Sequence, residues 1–134
     1  MRAIVLTGYG GVENFALAEV ADPEPGPHDI RVQLRAASFN PIDYQIRRGG
    51  HESKLVSSPS LGRDFAGVVN KVGAAVTEWA VGDAVFGYSS SMGSNGTYAE
   101  QLCVPATIVG RVPASLTFAQ APALPVAGLT ALAA

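Results

Sequence analysis

The sequence lacks several features that would mark particular classes of protein. Among its 134 residues there is a single cysteine, Cys103, which excludes an internal disulfide framework and a zinc site built from several thiolates. Charged residues make up only 15% of the chain and the net charge is −2, so there is no basic surface for nucleic acid or an anionic membrane. The apolar run near the N-terminus is too short for a signal peptide. We therefore predict a globular, cytoplasmic domain without a nucleic-acid or membrane partner.

Charge is also missing from the C-terminal segment. No charged residue follows Arg111, and the remaining residues are rich in alanine, leucine and proline. Pro122, Pro125 and Gly128 interrupt the segment, which argues against a membrane span of ~20 apolar residues. Its last predicted helix has no polar C-terminal cap. We expect this helix to lead into a further domain; the alternative is a helix buried in its own core or in a dimer interface.

Glycine and proline are plentiful, with 15 and 9 residues, and such frequent turn residues favour many short strands. Residues 29–36 alternate between apolar and polar side chains, as a half-buried antiparallel strand does. Asn40 followed by Pro41 is a strong helix start, and this helix should run to about residue 48. The patterns predict a small barrel or sandwich with strands over 2–7, 15–21, 29–36, 64–72, 84–87, 96–104 and 108–112, and further helices over 117–123 and 126–134.

Other candidate sites have simpler interpretations. The glycine-rich stretch 8–11 follows a strand, but no helix follows it, so it predicts a hairpin turn and not a dinucleotide site. His28, His51 and Cys103 lie far apart without the spacing of metal ligands. The triplet 50–52, Gly-His-Glu, falls in a polar loop and is weak support for a metal site. No nucleophile motif is present.

The helix start at residues 40–43 allows two interpretations. In the structural one, Asn40 caps the helix and Asp43 complements the helix dipole. In the functional one, these polar side chains face a ligand. Both can hold at once.

Five motifs in a fixed order carry a resemblance to a known family. Together they resemble the N-terminal, GroES-like domain of the medium-chain dehydrogenases/reductases, and within it the quinone oxidoreductase (zeta-crystallin-like) branch. The resemblance covers essentially the whole chain. The motifs are GRDFAGVV (62–69), KVG (71–73), VGDAVFG (81–87), GTYAE (96–100) and PALPVAGLTA (122–131).

The resemblance implies a mainly β fold. The expected architecture is a GroES-like, partly open β-barrel with short helices and a C-terminal apolar helix. Residues 1–123 would form the catalytic domain, and residues 124–134 would begin the helix that connects to a Rossmann domain, which this sequence does not include. Without that domain, the chain alone should be inactive.

The resemblance also implies that zinc is not used. Zinc alcohol dehydrogenases of this superfamily carry Gly-His-Glu where this chain has Gly62-Arg63-Asp64, and they carry a cysteine near Asn40. Arginine is a permanently charged donor and cannot ligate Zn²⁺. The triplet 50–52 is out of register with the zinc motif. We expect no metal site.

The implied activity is hydride transfer from NADPH to a quinone or an α,β-unsaturated carbonyl. By resemblance, Asn40, Asp43 and Thr130 lie in the cleft, with Asn40 and Thr130 at the nicotinamide end of the cofactor. Asn40 and Tyr44 are candidate hydrogen-bond donors to the acceptor. Arg63 either stabilises charge in the cleft or forms an ion pair with Asp64 or another carboxylate.

Two alternatives remain at this point. The chain could be a stand-alone GroES-like binding module without catalysis, or a relative of the zinc-type alcohol dehydrogenases that has lost its metal. A reading frame that continues into a strand–GxGxxG–helix unit would favour the enzyme. We also expect the exposed apolar C-terminal helix to promote a homodimer.

Overall fold

The fold is mainly β, as predicted, with two short α-helices in the part of the chain that is described. The computed structural model describes residues 1–50, 53, 59–89 and 96–134. The strands are β1 (Arg2–Leu6), β2 (Phe15–Glu19), β3 (Asp29–Ala37), β4 (Asp64–Val72), β5 (Ala84–Tyr88), β6 (Gln101–Pro105) and β7 (Val109–Arg111), and the helices are α1 (Pro41–Arg47) and α2 (Pro125–Ala133).

The strands form two antiparallel sheets. Strands β1 and β2 pair as a hairpin around residues 8–11, which confirms the turn predicted there. The larger sheet has the order β6-β3-β4-β5-β7, so among the described strands β6 and β7 are its edges. Bridges from Ala3 to Ala99 and from Val5 to Ser60 attach the hairpin to the rest of the domain.

The core lies on one face of the larger sheet, where β3 and β4 are central. Apolar side chains from several strands, and one from the 3-10 turn after β6, form it: Ile30, Val32, Phe65, Val69, Val85, Leu102, Val104 and Ala106. The opposite face of β3 is less exposed than its alternation suggests. Arg31 donates to the Asn70 side chain at 2.9 Å and to the Pro23 carbonyl at 3.3 Å. The proline-rich loop therefore covers part of the polar face.

The helix predicted over residues 117–123 is wrong. Only a 3-10 turn forms, at Ala121–Ala123. Pro122 has no N–H to continue a helix. Thr117 and Gln120 also bond each other reciprocally, since each backbone amide donates to the other's side-chain oxygen at 3.0 and 3.1 Å. That pattern closes a single turn.

The strand predicted over 96–104 is shorter, because β6 begins only at Gln101. The residues before it cross over another segment of backbone. The amides of Thr97 and Tyr98 donate to the carbonyls of Gly62 and Leu61 at 3.3 and 3.1 Å. This crossing brings the GTYAE motif against the start of β4.

The second helix is short and mostly exposed. Leu129 and Leu132 are 55% and 85% exposed. With Phe86, Ile108 and Leu124 they line an open apolar groove of about 500 Å³. In the described part of the chain, no helix is long and apolar enough to cross a membrane.

Candidate functional site

One buried carboxylate, that of Asp64, connects three segments of the chain. Asp64 is the first residue of β4 and is 1% exposed. Its Oδ2 accepts hydrogen bonds from Ser38 Oγ at 2.6 Å and from Asn40 Nδ2 at 2.8 Å. Its Oδ1 accepts from the backbone amide of Val126 at 2.8 Å. The carboxylate therefore joins the loop before α1 to the first turn of α2.

The N-terminus of α1 is built as the sequence predicts. Asn40 is the N-cap, Pro41 the first helical residue, and Asp43 the third, in a capping-box arrangement. The amide of Asn40 donates to Asp43 Oδ2 at 2.9 Å, and the amide of Asp43 donates to the Asn40 carbonyl at 3.0 Å. The Asn40 side chain makes no hydrogen bond of good geometry to a helix amide. It is directed to Asp64 instead.

A second buried carboxylate, that of Asp43, lies in the first turn of α1 and is 0% exposed. It accepts from the amide of Gly62 at 3.1 Å and from the phenol of Tyr98 at 3.0 Å. Burial, together with the Asp43 carboxylate, raises the pKa of the Tyr98 phenol well above its usual value. Tyr98 therefore stays a protonated donor well above neutral pH. A role of Asp43 in the cleft stays a prediction.

Thr130 lies on the exposed side of α2, four residues after Val126. Residues four apart occupy the same helix face, so Thr130 stands one turn beyond the amide bound by Asp64. No hydrogen bond between Thr130 and Asn40 occurs among the described residues. Their common contact with a nicotinamide stays a prediction.

Tyr44 lies on α1 and contacts one residue on each side of the helix, Phe39 before it and Arg48 after it. Its ring stacks on Phe39, with centroids 6.5 Å apart, and the guanidinium of Arg48 lies 4.9 Å above the ring. Phe39 is 57% exposed, so these side chains are open to a ligand on one side. A hydrogen bond from Tyr44 to an acceptor stays a prediction.

Arg63 is buried, with 6% of its surface exposed, and its carbonyl accepts from the amide of Ser89 at 2.7 Å. The neighbouring Asp64 is occupied by three donors other than this guanidinium. Both interpretations of Arg63, charge stabilisation and ion pairing, stay predictions.

Two polar residues of the site were not among the sequence candidates. Ser38 bonds Asp64 and also contacts the Pro122 carbonyl at 2.8 Å, and Tyr98 bonds Asp43. A weak signal exists for each. Ser38 is a small polar residue directly before the Phe39-Asn40-Pro41 helix start, and Tyr98 lies within the GTYAE motif.

The described residues include no cluster of three or more His, Cys, Asp or Glu side chains that could hold a metal ion. Two residues of the triplet 50–52, His51 and Glu52, lie outside the described residues. Cys103 lies on β6, and burial raises the pKa of its thiol to about 11.

Comparison with known proteins identifies the family. Residues 26–114 match the alcohol dehydrogenase GroES-like domain. The chain belongs to this family. The predicted membership of the medium-chain dehydrogenases/reductases, in the quinone oxidoreductase branch, is confirmed by the relatives, and so is the GroES-like fold.

Similar curated proteins align with nearly the whole chain. The mouse synaptic vesicle membrane protein VAT-1 homolog-like is 30% identical over 98% of this chain and 30% of its own length. The mouse quinone oxidoreductase is 33% identical over 98% of this chain and 39% of its own length. The trans-enoyl reductase tazE of Aspergillus terreus is 34% identical over 98% of this chain and 46% of its own length. The chain thus spans less than half the length of these relatives.

Solved structures agree with this assignment. The quinone oxidoreductase of Coxiella burnetii superposes with a TM-score of 0.92 at 36% identity, covering 99% of this chain and 43% of that one. The Escherichia coli quinone oxidoreductase, solved in complex with NADPH, gives a TM-score of 0.85 at 33% identity, covering 97% and 39%.

Proposed function

We propose that this domain is the acceptor-orienting, catalytic portion of a zinc-independent, NADPH-dependent reductase. The proposed substrates are quinones or α,β-unsaturated carbonyl compounds. The relatives named as a quinone oxidoreductase and a trans-enoyl reductase, and the NADPH complex of the Escherichia coli enzyme, support this class of reaction.

The observation that carries the proposal is the environment of Asn40. Its side-chain amide, half-buried at the start of α1, is held by Asp64 next to the first turn of α2. An oriented amide of this kind can hydrogen-bond a neutral carbonyl or carboxamide. The site thus suits the orientation of an uncharged, planar acceptor.

In the proposed reaction, NADPH supplies a hydride to the electron-poor carbon of the acceptor, and negative charge develops on the acceptor oxygen. Asn40 donates its second side-chain N–H to the bound molecule, and Tyr44 is a second candidate donor. Hydrogen bonds to the developing oxyanion lower the barrier. Asp43 holds the α1 start, and water supplies the final proton.

The donor set around Asp64 fits zinc poorly. The zinc positions hold Asn40, which donates through its nitrogen, and Arg63, which cannot ligate. Asp64 is already used by three hydrogen bonds. Metal analysis of protein purified without chelator should find well under one zinc per chain, whereas stoichiometric zinc retained through dialysis would exclude this part of the proposal.

The test uses the protein encoded by the full reading frame. NADPH oxidation should depend on an added quinone or enone. Asn40→Ala should lower kcat by about 10- to 100-fold, with a smaller change in NADPH affinity, because a lost oxyanion donor acts mainly in the transition state. Asn70→Ala is the matched control, since Asn70 bonds Arg31 and Gln101 and does not touch the site.

Absence of NADPH turnover with every quinone and enone tested would instead favour the binding module. An unchanged kcat in Asn40→Ala would show that this amide does not act on the acceptor.

A further inference from the structure

The N-terminus of α2 has no cap of its own. Leu124, at the N-cap position, is apolar, and Pro125 has no N–H. The amide of Val126 is therefore the first free donor of the helix, and the Asp64 carboxylate, 62 positions away in sequence, accepts from it. A negative charge here also complements the positive end of the helix dipole. Asp64 thus provides the cap that the local sequence lacks.

The same carboxylate determines how the Asn40 amide is oriented. An ionised carboxylate only accepts hydrogen bonds, so the side chain of Asn40 must turn its nitrogen towards Asp64. Its oxygen faces the backbone amide of Asp43 in the capping box of α1, and its second N–H remains for other partners. Ser38 limits the movement of Asp64, because its hydroxyl lies 2.6 Å from Asp64 and 2.8 Å from the Pro122 carbonyl.

We propose that Asp64 is a positioning residue of the reductase, which fixes the orientation of the Asn40 amide and its place relative to the first turn of α2. Asp64 is 1% exposed, so this role does not require it to touch acceptor or cofactor. It acts through Asn40 on one side and through the helix that carries Thr130 on the other. This role rests on the proposed function.

Asp64→Asn separates the orienting role from mere stability. The retained oxygen of the new side chain can still accept from Val126, and its new NH₂ can donate to the Ser38 hydroxyl, which then donates to Pro122. Asn40 alone must change, because its NH₂ would face another NH₂. Its amide should turn over and present its oxygen to residue 64, which removes that oxygen from the Asp43 amide; this amide keeps the Asn40 carbonyl as its acceptor. The fold is kept. A bound molecule would then meet the acceptor oxygen of Asn40 where the wild-type protein presents a donor N–H.

The experiment is a double-mutant cycle in the full-length protein with Asp64→Asn, Asn40→Ala and the double variant. Asp64→Asn should lower kcat at saturating NADPH about tenfold, with the KM for NADPH changed by less than about threefold. In the Asn40→Ala background it should have almost no further effect on kcat, within about twofold, because the residue through which it acts is gone. Asp83→Asn, a carboxylate that bonds the Ala80 amide away from the site, is the control and should leave kcat unchanged.

The outcomes are distinct. If the losses of kcat in the two single variants multiply in the double variant, or if Asp64→Asn has wild-type kcat, the positioning role is overturned while the reductase function stands. An inactive wild-type protein overturns the proposed function and the positioning role together.

A second measurement applies if Asp64→Asn does not fold. The side-chain amide protons of Asn40 can be followed by NMR in the wild-type protein. One proton held by a buried carboxylate should exchange with solvent much more slowly than that of a free asparagine. Two protons that exchange as fast as in a free side chain would overturn the proposal.

Discussion

Replacement of Asp43 by asparagine should destabilise the domain strongly, although the side chain keeps its size. The wild-type carboxylate is fully buried and accepts three hydrogen bonds, one on Oδ1 from Gly62 and two on Oδ2 from Asn40 and Tyr98. An asparagine can accept on one side only. Its oxygen should keep the two donors, and its NH₂ should then face the Gly62 amide.

The magnitude follows from this geometry. One buried amide loses its acceptor, which costs about 1–3 kcal/mol, and the remaining two hydrogen bonds lose their charge-assisted part. We expect Asp43→Asn to lower the free energy of unfolding by about 3 kcal/mol. Tyr98→Phe removes a single donor and should lower it by about 1–2 kcal/mol. The double variant should lose less than the sum of the two, because both act on one network.

The assay is urea unfolding of the chain followed by circular dichroism, with the m-value as a check that the unfolded state is unchanged. Asp83→Asn is the control, since its carboxylate accepts from the Ala80 amide and from the exposed Arg111 guanidinium near the surface, and its replacement should cost less than about 1 kcal/mol. A loss of under about 1 kcal/mol in Asp43→Asn, or strictly additive losses with Tyr98→Phe, would show that the three bonds do not act as described.

Three further perturbations test other parts of the structure. Gly62→Ala should lower the free energy of unfolding by about 3 kcal/mol or more, because φ is +96° and an added Cβ would collide with Thr97 and the Tyr98 ring. The control is Gly82→Ala, where φ is +99° but the space is open, and it should cost only about 1–2 kcal/mol. Equal losses in urea unfolding would contradict this. Above about pH 10 the unfolded chain releases the Tyr98 proton before the folded chain does, because the pKa of Tyr98 is raised in the folded state. The free energy of unfolding should therefore fall more steeply with pH in the wild type than in Tyr98→Phe, with an extra slope of at most about 1.4 kcal/mol per pH unit. Parallel pH profiles would refute the raised pKa. Light scattering should find dimers or larger species of the wild-type chain, because Leu129 adds to the exposed apolar face of α2. Leu129→Asp should reduce these species, whereas the control Ala127→Asp should not. A wild-type monomer would count against association.

Much of the fold follows from local sequence patterns. The alternation over residues 29–36 and the apolar run 64–72 predict β3 and β4 because the pleat of a strand places alternate side chains on opposite faces. Asn40 and Pro41 predict the start of α1, because N-cap preference and the fixed φ of proline act over only a few residues. The motifs were sufficient to predict the family. All of these signals lie within one short segment.

The sequence was less informative where distant segments meet. The helix predicted over 117–123 is reduced to one turn by Pro122 and the reciprocal Thr117–Gln120 bonds, and β6 is short because residues 97–98 cross the segment at residues 61–62. Whether two segments cross depends on the packing of the whole chain, which no local pattern records.

The charged pair Arg63-Asp64 shows the same division. From the sequence, the motif around it predicts a GroES-like domain without the usual zinc ligands, because residue chemistry alone decides what can ligate a metal. The partners of Asp64 are 24, 26 and 62 positions away, at Asn40, Ser38 and Val126. Only the tertiary structure brings these donors to one carboxylate, because hydrogen bonds form over about 3 Å in space, whatever the separation along the chain.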